Sequence, residues 1–274
     1  MEKAYVSRET LSATDKKDLK RVVVALADAA REAILPLFRS TNLALENKAD
    51  QGFDPVTHAD KAAERAMRAI LEEQRPEDGI LGEEYGEISG SSGLTWVLDP
   101  IDGTRSFMSG TPTWGVLIAL QDAAGPFFGL IDQPYIGERF IGGLGLNTMT
   151  GPLGTAALQT RVTRALQEAV LFSTFPEIGS RAEHASFQAV AKEVKLVRYG
   201  LDCYAYALLA AGQIDLVIEA GLSAYDVQAP IAVIEAAGGV VCNWQGRPAH
   251  DGGQIIAAAT PELMAAALPF LQKA

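Results

Sequence analysis

The chain has 274 residues, 48% of them hydrophobic, which is enough apolar material to bury the core of one large domain or two modest ones. Asp and Glu number 34 against 23 Lys and Arg, and the formal net charge of -11 argues against a nucleic-acid-binding surface, which needs positive charge to contact phosphates. Two cysteines are too few for a disulfide scaffold, and no apolar leader or run of about 18 uncharged apolar residues occurs, so we expect a cytoplasmic protein that binds neither nucleic acid nor membrane.

The first part of the chain is predicted to contain two helices. Residues 1–13 are polar and are interpreted as a loose lead-in. Apolar residues then recur with a period near 3.6, so a helix is expected to begin with Thr14 as its cap and to end or bend at Pro36. The same pattern predicts a second amphipathic helix from Thr57 to Gln74.

Short apolar runs bounded by Gly, Pro and Asp follow, and they predict the strands of a mixed or antiparallel sheet. These runs are residues 79–82, 94–98, 114–120, 127–131 and 138–142. The Gly- and Thr-rich stretch 142–157 is the predicted boundary between an N-terminal α+β domain, residues 1–145, and a C-terminal α/β domain, residues 146–274.

Beyond this stretch, predicted strands alternate with predicted helices. The strands are expected at 170–173, 195–199, 214–218, 239–243 and 255–258, and the helices at 180–193, 202–211, 226–237 and 261–271. This alternation is typical of an α/β fold, which is therefore the predicted fold class.

Acidic residues are concentrated at the ends of two predicted strands. The pair at 83–84 follows one strand, and Asp99 and Asp102 directly follow the next. Carboxylates on turns at strand ends can converge, and here two of them and the Ile101 carbonyl can face the same side. Carboxylate and carbonyl oxygens are the ligands that Mg²⁺ prefers, and Mg²⁺ also binds substrate phosphate oxygens. Gly103 would let the backbone approach an anion closely.

Each of these features also has an ordinary structural explanation. The Gly-Glu-Glu run at 82–84 is compatible with a solvated turn, and Asp-Gly is a common turn pair. Asp60 is compatible with a capping turn of the second helix, and Asp226 with an N-cap. The histidines are isolated, and no P-loop, dinucleotide fingerprint, carboxylate-nucleophile motif or nucleophile elbow occurs. A metal-held phosphate that water attacks is the chemistry that remains.

These motifs resemble those of the inositol-monophosphatase-like, Mg²⁺-dependent phosphatases. The resemblance spans roughly residues 20–270 in one collinear order, and it is carried by Lys48, by the segment 54–60, by 82–84, by 96–104 and by Tyr225-Asp226. A narrower similarity, to the histidinol-phosphate phosphatase branch, is carried by residues 82–86, 102–107, 131–140, 200–206 and 215–221.

The resemblance implies a five-layer αβαβα sandwich, two to three Mg²⁺ ions per active site, a homodimer, and hydrolysis of L-histidinol phosphate by a metal-activated water. The residues implied are, for the metals, Glu83, Asp99, Ile101 through its carbonyl oxygen, Asp102 and Asp226; for the phosphate, Gly103 and Thr104; and for the attacking water, Asp60, Thr104 and Glu83. Lys48 and Glu84 are peripheral candidates.

The resemblance also implies contacts to the leaving group. These contacts are Arg198, Gly200, Asp202, Glu219 and Asp226. An acid at position 202 would pair with the ammonium or imidazolium of histidinol, which inositol lacks, although Asp202 is also compatible with the N-cap of a helix. Activity on inositol 1-phosphate, another sugar phosphate or a nucleotide 3′-phosphate is the alternative. A catalytically silent scaffold is disfavoured because none of the implied metal-binding acids is missing.

Overall fold

A computed structural model of the chain describes residues 6–40, 45–47 and 55–272. The helices in this part of the chain are α1 (Ala13–Ile34), α2 (His58–Gln74), α3 (Thr104–Ser109), α4 (Arg181–Ala191), α5 (Cys203–Ala210), α6 (Ala224–Ala236) and α7 (Pro261–Leu271). The strands are β1 (Leu45–Asn47), β2 (Pro55–Thr57), β3 (Gly79–Gly82), β4 (Gly86–Ile88), β5 (Thr95–Asp102), β6 (Gly115–Asp122), β7 (Gly125–Gln133), β8 (Glu138–Gly143), β9 (Leu146–Gly151), β10 (Gly154–Ala157), β11 (Val170–Ser173), β12 (Leu196–Tyr199), β13 (Leu216–Leu222), β14 (Val240–Asn243) and β15 (Gly253–Ala258).

Two large sheets organise the chain. The eight-stranded sheet has the order β10-β9-β8-β7-β6-β5-β3-β4 and is antiparallel except where β3 lies beside β5. The five-stranded sheet has the order β12-β11-β13-β15-β14, in which β12, β11 and β13 run parallel. The short strands β1 and β2 pair with each other.

Three apolar clusters hold these elements in five layers, as the predicted αβαβα sandwich requires. The first lies between α1, α2 and one face of the eight-stranded sheet, where the side chains of Trp96 and Leu98 point. The second surrounds α5 and α6 between the two sheets, where Val97 points because successive strand residues face opposite sides. The third lies between the five-stranded sheet and the outer helices α4 and α7. Burial of these apolar surfaces stabilises the arrangement of both sheets.

The helix starts follow their capping residues. Helix α1 is capped by Ser12, whose hydroxyl accepts from the Asp15 amide, so the prediction of Thr14 as the cap is wrong by two residues. The Asp15 carboxylate accepts from the Ser12 amide in return, which makes a capping box. Helix α2 is capped by Thr57, as predicted. None of the helices in the described part of the chain has the length and apolar character needed to cross a membrane.

The strand predictions differ from the structure mainly at the edges of the eight-stranded sheet. Strand β3 has the predicted bounds, and β5 continues beyond its predicted end through Asp102, with a register shift between Asp99 and Asp102. Strands β4, β9 and β10 were not predicted, because β4 and β10 are short and exposed and the half-buried β9 lacks a clear apolar alternation. The stretch 142–157, the predicted domain boundary, forms the β9–β10 hairpin at the edge of this sheet, and the second sheet begins only with β11.

Candidate active site

Three carboxylates from two different elements meet at one point. Asp99 and Asp102 lie on either side of the register shift in β5, and Asp226 lies in the first turn of α6. One oxygen of each carboxylate lies within 4.8 Å of the others. The Ile101 amide donates to Asp99 Oδ1 at 3.0 Å, and the Ser223 amide donates to Asp226 Oδ2 at 2.6 Å, so hydrogen bonds to the local backbone orient two of the three groups.

Burial and mutual repulsion set the electrostatics of this cluster. Burial, and then the charges of Glu83, Asp102 and Asp226, raise the pKa of Asp99 well above its usual value. Burial, and then Asp226 and Asp202, do the same to the pKa of Asp102. Carboxylates placed so close together without a cation repel one another. An oxygen-only donor set of this kind fits a hard cation such as Mg²⁺, which takes carboxylate, carbonyl and water oxygens.

Two further acids, Glu83 and Asp60, come from elements that pack against β5. Glu83 follows β3, and its carboxyl group shares a hydrogen bond with that of Asp99. Asp60 is buried in the first turn of α2, where its Oδ2 accepts from the amide and the hydroxyl of Thr57. Burial raises the pKa of Asp60 to about 6. Within the residues that the structure describes, Asp60 Oδ1 has no hydrogen-bond partner.

Thr104 lies near the cluster, but its hydroxyl makes a hydrogen bond within the turn to which it belongs. Its hydroxyl donates to the Ile101 carbonyl oxygen at 3.2 Å, so this oxygen already accepts one hydrogen bond. The roles of Ile101 as a metal ligand and of Thr104 as the partner of Asp60 therefore stay predictions. Lys48 and residues 48–54 of the first motif lie outside the described residues.

Gly103 occupies a position that only glycine fits. Its φ of 84° is in the left-handed region, and it opens α3. A Cβ at this position would lie 2.7 Å from the Cγ atom of Asp202. The absent side chain therefore lets the turn approach Asp202 closely.

Asp202 does not have the capping role that its sequence position allows. It precedes α5, but its side chain makes no capping bond, and the amide of Cys203 donates instead to Asp102 Oδ2 at 2.6 Å. The Asp202 carboxylate accepts from the hydroxyls of Ser106 at 2.5 Å and Thr113 at 3.1 Å. Asp202 is thus the N-cap residue of α5 by position, as the alternative interpretation has it, but its side chain does not cap the helix. Asp226 is not the N-cap of α6, since that position is Ser223.

A cavity of about 290 Å³ adjoins the carboxylate cluster. Its lining includes two further acids, Asp202 and Glu219. Glu219 accepts from the Thr174 amide at 2.7 Å, and burial raises its pKa to about 7. Two predicted leaving-group residues, Arg198 and Gly200, are exposed at the end of β12 and are not among the lining residues of this cavity.

Two residues at this cavity were missed by sequence reasoning. Arg105 and Phe175 both line it, and the Arg105 guanidinium lies 5.2 Å from the centroid of the Phe175 ring. Arg105 directly follows Thr104, so its position next to a predicted phosphate-binding residue could have indicated that it lies at the site. Phe175 follows β11 on the other sheet, and only the packing of the two sheets brings it to the cavity.

The chain matches known proteins over most of its length. Residues 15–273 match the model of the inositol monophosphatase family. The chain is 43% identical over 247 residues to the bifunctional phosphatase IMPL2, chloroplastic, of Arabidopsis thaliana, covering 88% of this chain and 70% of that protein. It is 34% identical over 250 residues to a histidinol-phosphatase of Streptomyces coelicolor, covering 89% of this chain and 93% of that protein. A solved structure of an inositol monophosphatase from Zymomonas mobilis superposes with a TM-score of 0.82 at 38% identity, and the match covers 96% of this chain and 100% of that one.

Proposed function

The chain belongs to the inositol monophosphatase family, and from this premise we propose that it hydrolyses L-histidinol phosphate to L-histidinol and phosphate. Family membership makes it a metal-dependent hydrolase of small phosphate monoesters. The identity of the substrate is the proposed part. Its relatives named as histidinol-phosphatases support this choice, while the solved inositol monophosphatase supports the alternative, inositol 1-phosphate.

The observation that carries the proposal is the acidity of the cavity beside the cluster. Asp202 and Glu219 both line it, in addition to the carboxylates that would hold metal. A primary ammonium or a protonated imidazole gains charge-assisted hydrogen bonds from such acids, whereas a neutral polyol gains much less. The ring of Phe175 adds an aromatic surface on which an imidazole can pack.

We further propose that Mg²⁺ is the metal, with two to three ions held by Glu83, Asp99, the Ile101 carbonyl, Asp102 and Asp226. Bound Mg²⁺ would lower the pKa of a coordinated water and neutralise charge that develops on the phosphoryl group. The oxygen-only donor set and the mutual repulsion of the acids support this assignment.

The remaining steps belong to the chain's own groups. Gly103 and Thr104 would bind the phosphate through the turn that opens α3. Asp60 Oδ1 would accept a proton from the attacking water, and a carboxyl group with a pKa of about 6 is largely ionised at neutral pH. The water oxygen bonds to phosphorus as the bond from phosphorus to the ester oxygen breaks. The ester oxygen takes a proton from solvent water as histidinol leaves, and Asp60 releases its proton to solvent. A homodimer and a cytoplasmic location stay predictions.

The experiment compares kcat/KM for L-histidinol phosphate and inositol 1-phosphate at saturating Mg²⁺, in the wild type and in Asp202→Asn. We expect the wild type to prefer histidinol phosphate. Asp202→Asn should lower kcat/KM for that substrate by about 10- to 100-fold, since a hydrogen bond to a charged group contributes about 1.5–3 kcal/mol. Its effect on p-nitrophenyl phosphate should be small.

Ser106→Ala is the matched control. It removes a hydroxyl that donates to Asp202 but keeps the carboxylate and its charge, so discrimination between the two substrates should persist. A wild type that prefers inositol 1-phosphate would refute the proposed substrate. Equal losses on both substrates in Asp202→Asn would show that Asp202 does not recognise the leaving group.

A further inference from the structure

A buried carboxylate on α2 holds the loop that carries Glu83. Glu64 is fully buried, and its Oε2 accepts from the Glu84 amide at 2.7 Å. Its Oε1 accepts from the Tyr85 amide at 3.2 Å and from Arg68 Nε at 2.7 Å. The side chain of Glu64 is therefore bonded to two consecutive amides that lie directly after Glu83.

Arg68 extends this arrangement to the next strand. Its guanidinium donates to the Gly86 carbonyl oxygen at the start of β4 as well as to Glu64. The Glu64–Arg68 pair thus spans the whole turn from β3 to β4. On the other side of the turn, the Glu83 amide donates to the Leu98 carbonyl oxygen at 3.1 Å, next to Asp99 in β5.

The packing at Gly82 shows how closely the pair approaches this turn. A Cβ at Gly82 would overlap the Glu64 carboxylate and lie 2.8 Å from an Arg68 nitrogen. Glycine at the end of β3 is therefore what allows the carboxylate of Glu64 to reach the amides beyond it. Asp60 lies one helical turn before Glu64, so the same face of α2 also contributes a residue of the site.

We propose that Glu64 is a positioning residue for the metal-binding cluster, which fixes the Glu83 carboxyl against Asp99 through the amides of Glu84 and Tyr85. The proposal rests on metal binding at the proposed site but not on the identity of the substrate. Partners outside the ligand set commonly change metal affinity by about 10- to 100-fold when they are removed. A buried ion pair by itself contributes little to stability. A role in geometry therefore accounts better for three donors converging on one fully buried carboxylate.

The test is Glu64→Gln, assayed by calorimetric titration with Mg²⁺ in the absence of substrate and by kcat at saturating Mg²⁺. Glutamine has nearly the same shape, but it loses one acceptor and places an NH₂ group against a backbone amide. We expect Mg²⁺ to bind about 10- to 100-fold more weakly, with kcat at saturating Mg²⁺ within a few-fold of the wild type.

Asp132→Asn is the matched control, because Asp132 is also fully buried and accepts from two arginines, Arg31 and Arg139. It should lower the melting temperature without changing Mg²⁺ affinity. Arg68→Lys, a milder change, should weaken Mg²⁺ binding by a few-fold even if Glu64→Gln does not fold.

The proposal would be overturned if Glu64→Gln bound Mg²⁺ with an affinity within twofold of that of the wild type. If Glu64→Gln is unfolded, the same result in Arg68→Lys would overturn it. So would an equal loss of affinity in the Asp132→Asn control. A wild type that binds no Mg²⁺ would overturn the metal site itself, and a wild type that binds Mg²⁺ but does not hydrolyse histidinol phosphate would refute only the substrate.

Discussion

Replacement of Asp99 by asparagine should stabilise the metal-free protein and abolish most of its stabilisation by Mg²⁺. Asp99 is 1% exposed, and its carboxylate has an oxygen within 4.8 Å of those of Asp102 and Asp226. Asparagine keeps the size of the side chain and an oxygen that can accept from the Ile101 amide. It removes only the charge and the ability to bind metal as an anion.

The size of the effect follows from the separation. Two unit charges 4.8 Å apart in an effective dielectric of about 20 repel each other by about 3.5 kcal/mol. Asp99→Asn removes this repulsion toward both neighbours, but the wild-type cluster relieves part of it by retaining a proton. We therefore expect a net gain of about 3 kcal/mol without metal, which corresponds to a rise in Tm of about 6 °C or more for a protein of this size.

Thermal unfolding in excess EDTA and in saturating Mg²⁺, near pH 8, measures both the gain without metal and the stabilisation by Mg²⁺. Mg²⁺ at about 100 times its Kd should stabilise the wild type by about 2.7 kcal/mol, and this shift should largely disappear in Asp99→Asn together with most of the activity. A variant less stable than the wild type in EDTA, or one with an unchanged Mg²⁺ shift, would refute the reasoning. Asp132→Asn removes a buried acid that is paired with arginines, and it should be less stable in both conditions.

Two further predictions concern the turn and the cavity. Gly103→Ala should lower the free energy of unfolding by about 1–3 kcal/mol and should also reduce kcat/KM. The reason is that the φ of Gly103 is 84° and the new Cβ would lie 2.7 Å from Asp202 Cγ. An unchanged urea midpoint and unchanged kinetics would contradict this prediction. Burial raises the pKa of Glu219 to about 7 from the usual 4.5. As pH rises, the unfolded chain therefore loses this proton before the folded chain does. The free energy of unfolding should then fall between about pH 4.5 and pH 7. Glu219→Gln should remove on the order of 3 kcal/mol of that decline from a series of urea midpoints against pH, and an unaltered pH profile would exclude the assignment.

The part of the site that lies within short segments could be predicted from the sequence. Asp99 and Asp102 follow an apolar strand around a proline, so local chemistry indicated where these two side chains would lie. Asp226 was placed with them only by the resemblance to a known family, because its own segment was also compatible with an N-cap. The predicted bounds of β3 were correct because glycines delimit the apolar run on both sides.

The contacts that depend on packing could not be predicted. Glu64 looks like one more polar residue of an amphipathic helix, and only the packing of α2 against the eight-stranded sheet brings it to the turn after β3. Asp202 was open to two roles, and the structure excluded capping because the carboxylate of Asp102, a hundred residues earlier, bonds the first amide of α5. The half-buried strand β9 and the exposed strand β10 lack the apolar alternation by which a strand is predicted from a sequence.

The net charge of -11 has a specific meaning once the acids are located. Glu83 joins Asp99, Asp102 and Asp226 in the cluster, and Asp202 and Glu219 line the cavity beside it. Within the described part of the chain, Arg105 is the single cationic residue among those that line this cavity. One guanidinium does not offset so many carboxylates, so these residues without metal would repel a phosphate dianion. The same acids become a phosphate receptor only when cations reverse the local charge. The order of binding therefore follows from the charge distribution: metal enters before the phosphate ester or together with it.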